Sequence, residues 1–356
     1  MADQSRQETF SGTKDVAETH RFDEKRLFDY LSEHIDGFDG PMDVRQFKGG
    51  QSNPTYQLIT PGRKYVLRRK PPGKLLKSAH AVDREYRIIK ALNNTDFPVP
   101  KAYILCEDEE IIGTVFYVME CVEGRVIWDL LIPGVTNDHR AAIYDAMNET
   151  LAKLHTTNYS ALGLDDFGKP GNYFARQIGR WSKQYTLSES QEIAEMNRLI
   201  EWLPENIPAN EEVSIVHGDY RLDNMVIHPT EPRVIAVLDW ELCTLGHPLA
   251  DFSYHIAQWR MPKAMFMGMI GHDIEALGIP SEAEYTRAYC ERTGRDEIEH
   301  MDFYMAYNIF RLACILQGIV GRVRDGTASS AHAEQNALIV KPLAELAMSF
   351  ARRVDA

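Results

Sequence analysis

No apolar run in the 356-residue chain approaches the ~20 residues of a membrane-spanning helix, and the opening M-A-D-Q-S-R-Q-E-T lacks the apolar core of a secretory signal. A cytoplasmic protein is the expectation. Cysteine is sparse: Cys106, Cys121, Cys243, Cys290 and Cys314 are odd in number, widely spaced and form no C-x-x-C pair. That argues against a disulfide frame or a structural zinc site and for reduced thiols. Positive charge is in deficit, the net charge being -13, which disfavours sequence-independent attraction to nucleic acid. Neither H-x-H nor H-E-x-x-H occurs, so a hydrolase using a two-carboxylate metal centre finds no support.

What remains is an ordinary globular composition, 44% hydrophobic and 26% charged, on a chain long enough for two lobes at roughly 100–200 residues each. The chemistry gathers between Val216 and Trp240. There V-H-G-D-Y-R-L-D-N precedes two apolar β-type runs, Met225 to Ile227 and Val234 to Leu238, joined by Pro229, Thr230, Glu231 and Pro232. This is the pattern of a tight hairpin. Asp219 lies five residues before Asn224, and Asp239 follows the second run directly. If the strands pair, all three polar groups leave the hairpin at one end. Two carboxylates and a carboxamide suit a magnesium-nucleotide site, with hard oxygens for the ion and one carboxylate beside a substrate hydroxyl. Singly, each residue also fits a turn or a cap. Together, D-x-x-x-x-N, hairpin and Asp match the catalytic loop and metal-binding Asp of kinases in order and spacing.

On these residues the chain resembles the aminoglycoside phosphotransferase and choline kinase-like superfamily of protein-kinase-like enzymes, which writes the catalytic loop H-G-D-x-x-x-x-N. The phrases R-E-Y-R-I-I-K-A-L, F-Y-V-M-E-C-V-E-G and L-D-W-E-L-C-T-L-G-H-P-L-A-D further resemble the kinase-type domain fused in some proteins to an acyl-CoA dehydrogenase. The likeness covers roughly residues 25 to 350. It implies an α+β, bilobal protein-kinase-like fold, with a five-stranded antiparallel N-lobe sheet carrying one helix and a mostly helical C-lobe. The expected division is a disordered tail over residues 1–20, an N-lobe over 21–119, a hinge over 120–124 and a C-lobe over 125–356.

Within the N-lobe, Leu27, Phe28, Leu31 and Ile35 recur at helical spacing, and strands are expected over Val44–Phe47, Thr55–Ile59, Lys64–Arg69, Lys101–Leu105 and Thr114–Met119. The small residues Gly50, Ser52 and Asn53 suit a flap whose backbone N–H groups approach phosphate, though a plain hairpin turn reads equally well from the residues alone. By resemblance, Arg68 takes the place of the phosphate-gripping lysine and Glu85, in the helix Ala79 to Leu92, is its partner. The alternative leaves Arg68 and Arg69 as edge-strand charges. Met119, Glu120 and Val122 fall at the adenine-reading hinge, and Gly124 supplies freedom to turn into the second lobe.

Beyond the hinge the text is helical. His155 ends the run Asp138 to His155 and reads as a packed or capping residue. Arg176, Arg180 and Lys183 share one face of the helix Asn172 to Tyr185, which is either a solvated face or a docking face for an anionic substrate such as a CoA thioester. Tyr173, Trp181, Tyr254 and Trp259 complete the candidate substrate contacts, and Asp251 reads as a brace for the catalytic loop.

The implied reaction is ATP- and Mg2+-dependent phosphorylation of a small-molecule hydroxyl. Asn224 and Asp239 hold the ion, Asp219 accepts the proton, His217 supports the loop, and Arg221 lies near the transferred phosphate or braces the loop. A hydroxyacyl-CoA or hydroxy acid is the acceptor that the narrower resemblance suggests; the wider one allows aminoglycosides, choline-like amino alcohols and sugars. A protein kinase is disfavoured because Asp-Phe-Gly, Ala-Pro-Glu and an activation segment are missing. The rival from another class is a nucleotide-binding pseudokinase scaffold, against which intact Asp219, Asn224 and Asp239 argue.

Overall fold

The computed structural model describes residues 7, 9, 11–48, 53–71, 81–265, 268–324 and 333–355. In chain order it holds β1 (Thr13–Lys14), α1 (Glu24–His34), β2 (Asp43–Phe47), β3 (Thr55–Ile59), β4 (Lys64–Arg69), α2 (Val82–Leu92), β5 (Ala102–Cys106), β6 (Phe116–Glu120) and α3 (Asn137–Thr156). There follow α4 (Tyr173–Ser188), α5 (Ala194–Glu205), β7 (Ser214–Val216), β8 (Met225–Ile227), β9 (Val234–Val237) and β10 (Thr244–Gly246). The chain closes with α6 (Pro248–Arg260), α7 (Glu282–Thr293), α8 (Met301–Arg324) and α9 (Ala333–Val354). Two compact units emerge, one of Met1–Thr150, Ala161–Gly163 and Arg221–Cys243, the other of Leu151–Ser160, Leu164–Tyr220 and Thr244–Ala356. The division falls inside α3.

The first unit is built on an antiparallel sheet in the order β1-β2-β3-β4-β6-β5. Alternation along the strands buries Val44, Tyr56, Leu58, Tyr65, Leu67, Phe116 and Val118 against Leu27 and Leu31 of α1 and Ile35 just past its end. The sheet has six strands rather than the expected five. Its additional strand lies in the stretch expected to be disordered: Thr13 and Lys14 pair with Phe47 and Gln46. The reason lies in Arg69, which faces the core side of β4 and is buried. Its guanidinium donates to the carbonyls of His20 and Ile112 and stacks on Phe22 and Tyr56. A buried cation needs acceptors, and the stretch leading to His20 supplies one.

The same unit holds the β8–β9 hairpin, paired antiparallel at Met225 with Val237 and Val226 with Ala236, as the sequence implied. Arg125 and Ile227 exchange backbone bonds of 2.7 and 2.9 Å beside it. Gly124 is therefore required for a different reason than the expected turn. A Cβ there would lie 2.4 Å from Val226 Cγ1 and 2.6 Å from the Ile227 carbonyl, so close approach, not backbone freedom, demands glycine.

The second unit is mostly helical, with β7 and β10 as a short antiparallel pair. At its centre is α8, which packs on α4, α6 and α9 and buries Phe303, Tyr307, Ile309, Phe310, Ala313 and Cys314. This helix is long and apolar enough to cross a membrane, an 18-residue window averaging a hydropathy of 1.4, yet 72% of that window is buried inside the protein. The helix α5 and the pair β7 and β10 were not among the elements expected from the sequence.

Candidate active site

In the sheet-bearing unit, the central position of β4 between β3 and β6 decides what Arg68 can do. Period-2 alternation sends it to the face opposite Arg69. The guanidinium is buried, with Nε 2.9 Å from Glu85 Oε2, Nη2 2.6 Å from Asp239 Oδ1 and 3.4 Å from Glu241 Oε2. The alternative of two edge-strand charges is thereby excluded. Burial opposes its charge, but Asp239 and Glu85 outweigh that cost and hold Arg68 above the ordinary guanidinium range. Glu85 comes from α2 and is itself fixed: Asn53 Nδ2 donates to its Oε1 at 2.8 Å and the Tyr117 hydroxyl to its Oε2 at 3.1 Å. Burial pushes the Glu85 carboxyl upward while Arg68 pulls it down. Tyr117 and Glu241 were missed by sequence reasoning, although Glu241 stands two residues after Asp239. The expectations at Gly50 and Ser52 lie outside the described residues.

The hairpin in this unit positions the two candidate metal ligands. Leu238 N–H donates to the Asn224 carbonyl at 2.8 Å, so Asn224 and Asp239 leave the paired strands at the same end. Asn224 is buried and closes a 3-10 turn, Leu222–Asn224, that Arg221 precedes. Asp239 adopts φ 64°, ψ 64°, the left-handed region that Asp tolerates better than most residues. Arg68 holds one of its carboxylate oxygens, leaving the other for an ion. Among the described residues no three His, Cys, Asp or Glu side chains gather as a metal cage. Two hard protein oxygens, with water and phosphate supplying the rest, are what Mg2+ takes in nucleotide sites, so the residues fit that ion. Arg221 Nη2 lies 3.3 Å from Asp223 Oδ2, which braces the loop.

At the expected hinge, Met119 is buried in β6 and Glu120 ends that strand, its N–H donating to the Lys101 carbonyl at 2.8 Å. Val122 follows half-buried. Ion pairing of Lys64 with Glu123 at 2.7 Å ties this segment to β4.

The helical unit carries the candidate base. Gly218 sits at φ 83°, which lets the chain turn between His217 and Asp219. The backbone N–H groups of His217 and Gly218 both donate to Asp251, at 2.6 and 2.9 Å, and His155 Nε2 lies 3.3 Å from the same carboxylate. Asp251 is thus the expected brace. Burial alone would raise its pKa, but His155 and the His217 N–H hold it below the ordinary carboxylate value. His217 is buried, and its Nδ1 accepts from the Asp219 N–H at 3.2 Å, a bond within the loop. The Tyr254 hydroxyl donates to Asp219 Oδ1 at 2.6 Å.

The other candidate substrate residues divide. The Tyr173 ring packs where a Cβ on Gly246 would come within 2.5 Å of it. Arg176 donates to the Lys169 carbonyl, while Arg180 is exposed and lies over the Trp181 ring. Trp181 is buried, with its indole nitrogen unpartnered among the described residues. Trp259 is a correction: it is buried, its indole N–H donates to the Pro280 carbonyl at 2.9 Å, and its ring packs on Tyr285. Large aromatic area draws it into the core, so it is not presented to a ligand.

A sequence profile described as the phosphotransferase enzyme family matches residues 43–298. Human acyl-CoA dehydrogenase family member 11 is 44% identical over 352 residues, covering 96% of this chain but 45% of its own length. The chain therefore spans less than half of that relative. A crystal structure from Ralstonia eutropha, assigned provisionally as an aminoglycoside phosphotransferase, is 53% identical, with a TM-score of 0.86 over 94% of this chain and 99% of that one. Two remoter structures share the fold alone. Choline kinase from Cryptosporidium parvum has a TM-score of 0.65 at 10% identity, covering 93% of this chain and 97% of its own. A spectinomycin phosphotransferase solved with ADP and its antibiotic has 0.61 at 11%, covering 92% and 98%.

Proposed function

This chain belongs to the phosphotransferase enzyme family, and from that premise we propose that it transfers the γ-phosphoryl group of ATP to the hydroxyl of a small molecule. The observation that carries the reading is the buried Arg68 held between Glu85 and Asp239, a fixed cation beside a metal-competent carboxylate. Asn224 and Asp239 would hold Mg2+, which when bound neutralises developing phosphate charge. Arg68 would lie against the nucleotide phosphates, kept in place by Glu85, Asn53 and Tyr117. Asp219 orients the acceptor hydroxyl and takes its proton late, because the transition state is loose and positioning dominates.

For the acceptor we propose a hydroxyacyl-CoA or the corresponding hydroxy acid, on the strength of the identity to acyl-CoA dehydrogenase family members. Aminoglycosides, choline-like amino alcohols and sugars are the competitors. Mass-spectrometric phosphate transfer from Mg-ATP across a panel of all these classes decides among them. A gain of one phosphate with wild type, reduced at least ~10²-fold in Asp219→Asn, is the expected result. Binding of nucleotide without transfer to any acceptor, and without Asp219-dependent ADP release, would turn the reading to a scaffold.

A further inference from the structure

Arg311, on α8, is buried with 7% exposure. A buried guanidinium is expensive unless other groups answer for it. Here its Nη2 donates to the carbonyl of Gly218, the residue before the candidate base. Its planar face lies over two aromatic rings, Tyr254 at 5.1 Å and Trp181 at 5.7 Å. The first of these rings belongs to the side chain whose hydroxyl binds Asp219. Burial works against the charge of Arg311, and the groups that favour it are Tyr307, Tyr173, Tyr254 and Asp219.

Three helical positions thus act on three successive residues of one loop. Asp251 holds the N–H groups of His217 and Gly218, Arg311 holds the Gly218 carbonyl, and Tyr254 holds the Asp219 carboxylate. The bonds made by Asp251 and Arg311 immobilise backbone only. That of Tyr254 reaches the reacting group. A carboxylate can rotate about its last torsion, which is broad and two-fold, and a proton acceptor that rotates is out of line with the hydroxyl it must orient. A charge-assisted O–H···O bond of 2.6 Å is short for a hydroxyl donor and stops that rotation. The cation stacked on the Tyr254 ring fixes the tyrosine in turn.

We propose that Tyr254 and Arg311 are positioning residues for the phosphoryl-transfer step, locking the Asp219 carboxylate at the angle that receives the acceptor proton. Tyr254 acts through Asp219 and is not an acceptor contact. The inference rests on the phosphotransferase reading with Asp219 as proton acceptor.

The test is a double-mutant cycle on whichever acceptor of the panel the wild type phosphorylates. In Tyr254→Phe, kcat is expected to fall about 10- to 100-fold, the scale of one lost bond to a charged group. KM for the acceptor, Kd for Mg-ADP and the unfolding midpoint are expected to stay within about twofold, or a few degrees for the midpoint. In an Asp219→Asn background the same substitution is expected to add less than about threefold, because the group it positions is gone. Arg311→Lys, which keeps the charge and loses the planar fork, is expected to follow Tyr254→Phe. Wild-type kcat in Tyr254→Phe overturns the proposal. So does a loss confined to acceptor KM, which would make Tyr254 a binding contact, or a full additional loss on top of Asp219→Asn. If Arg311→Lys does not fold, the tyrosine cycle alone decides. A wild type that transfers to no acceptor defeats the phosphotransferase reading itself, and the positioning claim with it, and that outcome is visible before any variant is made.

Discussion

Arg68 is one cation among three carboxylates, and the arithmetic of that cluster predicts its response to mutation. Removing one partner from an isolated buried ion pair costs about 3–5 kcal/mol, because the survivor is left uncompensated. Here Asp239 and Glu241 still neutralise Arg68 when Glu85 is lost. Glu85→Ala is therefore expected to destabilise by about 1–3 kcal/mol, mostly through the abandoned Asn53 and Tyr117 donors, as read by urea denaturation. Asp239→Asn is the sharper probe of chemistry. It removes a carboxylate oxygen proposed to hold Mg2+ and weakens the hold on Arg68, so Mg-dependent turnover is expected to fall at least ~10²-fold in a steady-state assay. Wild-type turnover in that variant would remove Asp239 from the metal site.

Elements respond through their ends and their crossings. The hairpin β8–β9 packs so closely on the segment after β6 that Gly124→Ala drives a methyl group into Val226 and the Ile227 carbonyl. Backbone cannot yield as a flexible side chain does, so a loss of about 1–3 kcal/mol in chemical denaturation is expected. At the start of α7, Ser281 and Glu284 form a reciprocal capping box, the serine hydroxyl accepting from the Glu284 N–H at 3.3 Å and the Glu284 carboxylate from the Ser281 N–H at 2.9 Å. Ser281→Ala is expected to cost about 1 kcal/mol, with hydrogen exchange quickening in the first turn of α7. These effects differ in kind: the first comes from a tertiary crossing, the second from a local signal readable in the residues themselves.

At the scale of the molecule, imidazoles that burial keeps neutral contribute to acid stability. Burial lowers both His247 and His255 to about 4. His255 is held as the neutral ring, donating from Nδ1 to the Tyr220 carbonyl at 3.2 Å and accepting at Nε2 from the Tyr285 hydroxyl at 2.7 Å. An unfolded chain protonates these rings near pH 6.5 and the folded chain does not, so the unfolded state binds more protons between pH 6.5 and 4. Their contribution is complete above about pH 6.5 and is lost as pH falls toward 4. The unfolding midpoint is expected to drop steadily across that window, and His255→Gln is expected to flatten the slope. A flat profile would mean the rings are charged in the folded state.

The hairpin was legible in the residues because its information is local: two apolar runs and a proline-bounded turn lie between Met225 and Leu238, and the two strands pair. The helices α1 to α4 were legible from periodicity for the same reason. Roles for Arg68 and Glu85 came from family resemblance, since composition and spacing do not pair residues on separate elements. Only the tertiary structure decided the rest. It put Arg68 on Asp239 across 171 residues, sent neighbouring Arg69 to the opposite face, drew the stretch around Thr13 into the sheet, moved Trp259 into the core, and set Arg311 on Gly218 across 93 residues. Each is a buried polar or aromatic group finding a partner far along the chain. Burial penalises every unpaired group, but which distant group satisfies it is decided by packing, and packing is not written in any single stretch of sequence.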